Sequence, residues 1–383
     1  MAQEKVPVLI IGGGIVGLSA SLFLSYHGIR SLLVERHAGT SIHPRARGVN
    51  GRTMELYREV GLEDAIREAG QALQPALGFF KGATLGEALE GHDPEQHRQM
   101  MAFFQKMTTS DEISPTTGSR GTQDLVEPIL LDATRTRGGD VRFSTELLSF
   151  EQDSTGVNAT VRDRVSGTDS SVRAEYMIAA DGANSPVLRT LGIPCSHSGS
   201  EGHLLNILFH ADLSAFVRGR EFSICMIERP EVTGLLISIN NRDIWTFHIL
   251  YDQAKGETPA DFPPERCRHL IQLALGLPGV EVEIKSILPW ISTVRVAERL
   301  QQGRVFLAGD ARPTRCRPGV VRGPIPAFPT RITLPGSWPQ CSKERRNRRC
   351  STRITSSASR SGSRPPSHQA RERMSGVCWP GGV

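Results

Sequence analysis

The sequence lacks any apolar run that approaches a membrane span, about 20 residues, and it therefore predicts no transmembrane helix. Its first residues, MAQEKVPVLIIGGG, contain neither the basic region nor the small-residue cleavage site of a signal peptide. Because the chain begins almost directly on an apolar strand, we expect a cytoplasmic protein.

Metal-binding and disulfide patterns are missing as well. The seven cysteines follow no zinc-binding spacing, and Cys195, Cys225 and Cys267 are scattered as in a reduced cytosolic protein. The histidines form no ligand pattern either. We therefore predict no metal site.

Charge is distributed unevenly along the 383 residues, although the net charge is only +5. The segment 312–383 contains 15 Lys and Arg but two acidic residues, whereas residues 1–311 contain 30 basic and 38 acidic ones. This segment has no hydrophobic periodicity and is rich in Pro, Gly, Ser and Arg, a composition typical of disorder. Such an asymmetry often marks a tail that binds nucleic acid or membrane.

A complete βαβ unit opens the chain. Residues 6–11, VPVLII, are an apolar run typical of a buried parallel strand, and helical apolar spacing then extends to Gly28. Between them lies the GxGxxG pattern of Gly12, Gly14 and Gly17, and Glu35 ends the second strand. In this context the pattern predicts dinucleotide binding: the glycines allow a tight turn and close approach of pyrophosphate, and Glu35 accepts from a ribose hydroxyl. The alternative is a Gly-rich turn that binds nothing.

The rest of the chain predicts a mixed α/β protein. We expect helices over 51–69, 123–138 and 264–276, and a hairpin of 141–151 with 157–164. The stretch from Tyr176 predicts another buried strand. Four alternating segments indicate an antiparallel sheet: 203–211, 221–228, 233–240 and 243–251.

Four further motifs resemble those of class A flavoprotein monooxygenases, the FAD-dependent aromatic and polyketide hydroxylases. Residues 180–189, ADGANSPVLR, resemble the DG motif of that family, and residues 303–311, GRVFLAGDA, resemble its GD motif. Residues 43–50, HPRARGVN, with the following RTME resemble the segment that crosses the flavin. Gln123-Asp124 resembles the polar pair that opens the next helix in contact with FAD. All four occur in family order.

The resemblance implies a Rossmann-like FAD-binding domain with an inserted antiparallel-sheet substrate domain. We assign residues 1–74, 121–190 and 285–311 to the FAD-binding domain and residues 75–120 and 191–284 to the substrate domain. Residues 312–383 are left as an aberrant or disordered tail.

The resemblance also implies roles for individual residues. Asp310, after Gly309, would accept from the ribityl hydroxyls of FAD. Asp181, Gly182 and Arg189 would serve FAD and the NAD(P)H path. The remaining predicted cofactor-binding residues surround the phosphates or the flavin: Arg36, Arg45, Arg47 and Gln123. Asp181 and Asp310 could instead be ordinary helix-cap or turn residues.

The chemistry implied for this family needs no protein nucleophile, and we predict no catalytic side chain. NAD(P)H reduces FAD, dioxygen adds at flavin C4a, and the C4a-hydroperoxyflavin transfers a hydroxyl group to an electron-rich aromatic ring. The protein binds and orients the substrate and excludes water. The substrate would lie over the sheet of 203–251, where five apolar residues are candidates for pocket or core: Phe209, Phe222, Met226, Trp245 and Phe247.

Two other functions compete with this interpretation. Another FAD-dependent oxidoreductase of the same fold is one; a halogenase lacks support because its Trp-containing motif is not seen. The other is a non-catalytic remnant with a basic tail that binds nucleic acid or membrane. Because the tail has no helical amphipathicity and few aromatic residues for base stacking, we expect neither partner.

The genetic code offers an explanation for the tail. A shifted reading frame joins the third base of one codon to the first two bases of the next codon, so each pair of neighbouring residues limits one shifted residue. In this frame, the residue pairs from Pro313 to Ala327 permit HAMPPxGGxGANTG. The pairs from Pro329 to Ser337 permit DAHNLAWK. The Lys in that reading requires an AGY codon for Ser337, and Ser337-Trp338 and Trp338-Pro339 then give only Leu and Ala. This is the Gly-rich loop and helix expected after the GD motif in the resembling family. We therefore hypothesise a one-base slip near Ala311 to Pro313.

The nucleotide sequence around codon 312 tests this hypothesis. We expect the coding DNA to spell the Gly-Gly-x-Gly-x-Asn loop in the shifted frame. Codons that cannot encode that loop in any frame would contradict the hypothesis.

Overall fold

The structure, a computed structural model, describes residues 3–73, 78–91 and 114–311, with isolated positions between 93 and 102. The side chains of 197–201 and 292–295 are not described. The predicted tail, 312–383, and most of 92–113 lie outside the described residues.

Strands and helices alternate in the first half of the chain, and strands dominate the second. The strands are β1 Glu4–Ile11, β2 Ser31–Val34, β3 Gly48–Val49, β4 Phe79–Gly82, β5 Ser119–Arg120, β6 Asp140–Arg142, β7 Thr145–Gln152, β8 Val157–Asp163, β9 Asp169–Ala179, β10 Cys195–His210, β11 Ile224–Arg229, β12 Val232–Ser238, β13 Ile244–Leu250, β14 Glu283–Ala297, β15 Gln301–Gln302 and β16 Val305–Leu307. The α-helices are α1 Ile15–Tyr26, α2 Gly51–Glu59, α3 Glu63–Ala69, α4 Leu85–Glu90, α5 Gln123–Thr136, α6 Pro186–Thr190, α7 Ser214–Val217 and α8 Pro264–Leu275. Short 3₁₀ turns cover Gly70–Ala72, Gln253–Lys255, Pro259–Asp261 and Gly309–Ala311.

The first sheet contains the predicted βαβ unit. Five of its eight strands are parallel, in the order β16-β9-β1-β2-β6, and the β7–β8 hairpin joins at β9. Alternate residues of β1 enter opposite cores: Ile10 packs with the α1 side, and Leu9 packs with the other side. Burial on both faces explains why the strand is apolar at successive positions.

The second sheet is a separate layer with its own core. Its order is β14-β10-β13-β12-β11-β4, antiparallel except for the β11–β4 pair. One face buries Ile207, Trp245 and Phe247 against Ile271 of α8. The other face presents the alternate residues of the same strands, as the period of two requires.

Several boundaries differ from the sequence predictions, and three of these differences affect the architecture. The helix predicted over 51–69 is two helices, because the chain turns at Gly61 with φ +74°. The hairpin predicted from residue 141 begins at Thr145, because 140–142 form β6. The domain boundary predicted at residue 285 falls inside β14, which pairs with β10, and residues 285–297 therefore lie in the second sheet.

The five apolar candidates of the second sheet divide between its faces. Four lie in the core: Phe209, Phe222, Trp245 and Phe247. Met226 lies on the opposite face, since its neighbours Cys225 and Ile227 are in the core. Among the described residues, no helix is both long and apolar enough to cross a bilayer.

The turn between β1 and α1 leaves no room for side chains at two of its glycines. A Cβ atom on Gly12 would lie 2.3 Å from the carbonyl oxygen of Ala180, and one on Gly17 would lie 1.8 Å from the carbonyl oxygen of Gly12. Gly12 also has φ +103°, where other residues are strained. These two glycines permit α1 to pack directly against its strand and β1 to reach the end of β9.

We expect Gly17→Ala to lower the free energy of unfolding by about 2 kcal/mol or more, because the backbone must shift to admit the methyl group. Gly39→Ala is the matched control, since a Cβ there meets nothing within 4 Å and its φ is not in the left-handed region. Urea unfolding of the three proteins measures the effect. Equal loss of stability in both variants would contradict the packing described.

Candidate dinucleotide-binding site

The three sequence motifs meet at one edge of the first sheet. β1, β9 and β16 run parallel and end in register, with Ala179 beside both Ile11 and Leu307. The chain continues from these ends into Gly12, Ala180-Asp181 and Gly309-Asp310. Because carboxyl ends of parallel strands share one edge, motifs almost 300 residues apart form one site.

The N-terminus of α1 offers open backbone at this edge. Gly14 is its N-cap residue and no side chain caps it. A Cβ on Gly14 would contact only Glu127 Oε1, at 3.5 Å. The positive end of the helix dipole favours an anion at this position.

Glu35 lies at the end of β2, as the fingerprint predicts, and accepts hydrogen bonds from the same turn. Its Oε2 accepts from the backbone N–H of Gly13 at 2.6 Å, and its Oε1 accepts from the N–H of His37 at 2.9 Å. The Nδ1 atom of His37 also lies against Oε1. The carboxylate is therefore fixed beside the glycine turn.

Sequence reasoning missed Glu127, a buried carboxylate of the site that accepts three hydrogen bonds. Its side chain, on α5, accepts from the N–H of Ile15 at 2.8 Å, from the N–H of Ser41 at 2.7 Å and from Nε2 of Gln123 at 2.6 Å. The residue is 1 % exposed, and this burial raises the pKa of its carboxyl group. The i,i+4 spacing of Gln123 and Glu127 was the available signal, but contact with Ile15, 112 residues away, has no local signature.

The DG motif supplies a second carboxylate. Asp181 Oδ2 accepts from the N–H of Val187 at 3.1 Å, whereas Oδ1 is buried with no hydrogen-bond partner among the described residues. Burial raises the pKa of this carboxyl group, partly opposed by its hydrogen bonds and by Arg189. Gly182 follows with φ +83°, and Arg189 is exposed near the end of α6.

The GD motif closes the edge beside α1. Gly309 has φ +67°, and a Cβ there would lie 2.5 Å from Cγ2 of Val16 in the first turn of α1. Asp310 is exposed in the 3₁₀ turn that follows. Gly309 thus brings the backbone before Asp310 into contact with α1.

The predicted arginines are placed differently from one another. Arg36 and Arg45 are exposed. Arg47 extends to the second sheet, where its guanidinium donates to the carbonyl oxygens of Ser223, at 3.0 Å, and Ser238, at 2.8 Å. Burial lowers the pKa of Arg47 to about 10. Its role toward a cofactor stays a prediction.

These residues fit a dinucleotide with a polyhydroxylated chain. The open backbone at Gly14 suits a pyrophosphate, and the unpaired Oδ1 of Asp181 is an acceptor that lacks its donor. Within the described residues no cluster of three His, Cys, Asp or Glu is arranged to hold a metal ion.

The fold and this edge define a dinucleotide-binding protein in which a second sheet faces a Rossmann-like domain. The chain belongs to the FAD binding domain family, whose model matches residues 5–314. The predicted fold class and the resemblance to FAD-dependent hydroxylases are thereby confirmed.

Several characterised proteins are similar to this chain over most of its length. Tetracenomycin A2 monooxygenase-dioxygenase of Streptomyces glaucescens is 40% identical over 329 residues, which cover 81% of this chain and 58% of that protein. Aklavinone 12-hydroxylase DnrF of Streptomyces peucetius subsp. caesius is 38% identical over 81% of this chain and 63% of its own. The crystal structure of aklavinone-11 hydroxylase with FAD and aklavinone matches with a TM-score of 0.74 and 33% identity, covering 90% of this chain and 64% of that one. The chain thus spans about half to two thirds of the length of these relatives.

We expect Glu127 to make the free energy of unfolding of the FAD-free protein depend on pH in the acid range. Because its folded-state pKa is raised above the ordinary value of 4.5, its contribution is fully present below that value and is lost as pH rises through the folded pKa. Glu127→Gln removes this contribution, so the wild type should lose stability relative to the variant as pH rises.

Urea unfolding across this pH range measures the difference. Asp132→Asn is the matched control, because Asp132 is an exposed acid on the same helix. Parallel pH profiles for the wild type and Glu127→Gln would show that the pKa of Glu127 is not raised.

Proposed function

We propose that this chain derives from an FAD- and NAD(P)H-dependent monooxygenase that hydroxylates an aromatic or polyketide substrate. The observation that carries the proposal is the convergence of Gly12, Asp181 and Gly309-Asp310 at one sheet edge in a chain of the FAD binding domain family. The hydroxylases among its relatives support the reaction class.

The site residues have distinct tasks in this proposal. The N-terminus of α1 and the backbone at Gly14 would hold the pyrophosphate, and Glu35 would accept from the ribose of the adenosine half. Asp310 would accept from the ribityl hydroxyls, and Asp181 Oδ1 would gain a donor it now lacks. The chemistry that FAD supplies when bound is acceptance of hydride from NAD(P)H and activation of dioxygen.

The substrate would bind against the open face of the second sheet. That face carries Met226 and Leu235 in the adjacent strands β11 and β12, and it carries Leu288 in the edge strand β14, where Trp290 is 45% exposed. A flat aromatic ligand would cover these apolar side chains and exclude water from the reacting ring. Arg47 ties this sheet to the loop that precedes α2, and it would hold the two walls of the cleft together.

We also propose that residues 312–383 are translated out of frame. The family match ends at residue 314, close to the predicted slip, and the composition of the tail changes at the same point. The chain would then lack the Gly-rich loop and helix that its relatives are expected to place after the GD motif. We infer weak FAD retention and little coupled hydroxylation by the 383-residue chain.

Comparison of two proteins tests both proposals: the 383-residue chain and the product of the same gene with the frame restored. The restored protein should keep FAD through gel filtration, oxidise NAD(P)H and incorporate one atom of labelled dioxygen into an aromatic polyketide product. The 383-residue chain should lose FAD. Tight FAD and coupled product from the 383-residue chain would refute the inactivation, and no FAD binding by either protein would refute the flavoenzyme assignment.

In the frame-restored protein, Asp310→Asn should weaken FAD binding about tenfold or more, since a hydrogen bond to a charged acceptor contributes about 1.5–3 kcal/mol. Asp132→Asn should leave the affinity unchanged. Flavin fluorescence titration gives both values. Unchanged affinity in Asp310→Asn would remove that residue from the site.

A further inference from the structure

Two polar residues lie side by side in the middle of the open face of the second sheet. Asn206 of β10 and His248 of β13 are register partners, so their side chains project from the same face. Their neighbours Leu205 and Phe247 point into the core on the other side. Asn206 Oδ1 is buried and has no hydrogen-bond partner among the described residues.

A third polar side chain reaches this cleft from the first domain. His43 is 3% exposed, and both of its ring nitrogens are buried without a hydrogen-bond partner among the described residues. Arg47 of the same loop donates to the carbonyl oxygens of Ser223 and Ser238, so the loop of 43–47 contacts the second sheet. An unsatisfied buried polar group costs about 1–3 kcal/mol, so these atoms call for a partner that the chain does not supply.

The surroundings of these groups are apolar and positively charged. Leu235 and Leu288 are the register partners of His248 and Asn206 in the adjoining strands, and the ring of Trp290 lies 6.4 Å from that of His248. Arg45 and Arg47 are the charged groups that act on the two histidines.

The histidines are acceptors at neutral pH. Burial, aided by Arg45, lowers the pKa of His43 to about 4, and burial, aided by His43 and Arg47, lowers the pKa of His248 to about 4. Each ring is therefore neutral near pH 7 and has one nitrogen that accepts a hydrogen bond. The matching ligand group is a hydroxyl donor on a flat apolar body.

We propose that His43, Asn206 and His248 hold a hydroxyl group of the aromatic substrate in this cleft and set its position there. The inference rests on the proposed function and adds the residues that contact the substrate. A substrate hydroxyl group that donates a hydrogen bond would supply the partner that the buried atoms of Asn206 and His43 lack. The three residues act here as positioning and specificity residues.

Two probes with the same ring system test the proposal, one with free phenolic donors and one without: 2,6-dihydroxyanthraquinone and its dimethyl ether. Binding of each to the 383-residue chain, with FAD in excess, is followed by quenching of tryptophan fluorescence. We expect the dihydroxy compound to bind at least tenfold more tightly. Three substitutions should each reduce the ratio of the two affinities several-fold while the affinity for the ether stays constant: His43→Asn, His248→Asn and Asn206→Leu.

His203→Asn is the matched control. It lies on the same strand as Asn206 and also has a buried unpaired ring nitrogen, but its ring contacts Tyr251 on the opposite face of the sheet. The control should keep the full ratio, and thermal unfolding of each variant checks that it folds. The constant affinity for the ether distinguishes a lost hydrogen bond from a damaged site.

Equal affinity of the wild type for the two probes, or no binding of either, would overturn the proposal. If His43→Asn weakened FAD binding but kept the ratio, His43 would belong to the flavin site and the inference would fail for it. FAD titration of the frame-restored protein distinguishes failure of this inference from failure of the proposed function. If the protein binds FAD but binds the two probes equally well, only this inference fails. If it does not bind FAD, the proposed function fails.

Discussion

The architecture depends on the contact between the turn after β1 and the end of β9. The carbonyl oxygen of Ala180 lies where a Cβ of Gly12 would be, and the carbonyl oxygen of Gly12 lies where a Cβ of Gly17 would be. Only glycine permits both contacts. They set α1 against the sheet with its N-terminus at the strand ends, and they bring the DG segment to the same edge. Without this approach the three motifs would be separate loops.

Carboxylates organise the site that this contact creates. Glu35 accepts from the turn itself, and Glu127 joins the first residue of α1 to Ser41 and Gln123. Both hold backbone N–H groups in place at the positive end of a helix, where an anion is favoured. Glu127 is stabilised by these donors and destabilised by burial, and burial is the larger effect on its pKa. The arrangement leaves the backbone at Gly14 open for a phosphate group.

The cleft between the two sheets has a different character. Its sheet wall is apolar apart from a few polar groups, and Arg47 bridges the walls through carbonyl oxygens rather than through a carboxylate. A guanidinium bound in this way keeps its positive charge available to the cleft. The unpaired acceptors of His43 and Asn206 suit a ligand that donates hydrogen bonds, whereas the positive field of Arg47 favours negative charge on that ligand. The same surface would repel a cation.

The sequence by itself determined the βαβ unit, the antiparallel character of the second sheet and the dinucleotide class of the site. These features rest on local periodicity and on a glycine spacing that lies between a strand and a helix, so neighbouring residues suffice to recognise them. The tertiary structure alone decided that Glu127 meets Ile15, that Arg47 reaches Ser238, that 285–297 belong to the second sheet, and that Met226 and His248 face outward while Trp245 faces the core. Such contacts join residues more than a hundred positions apart, or depend on which face of a strand is covered. Periodicity identifies that a strand has two faces, but only packing determines what lies against each.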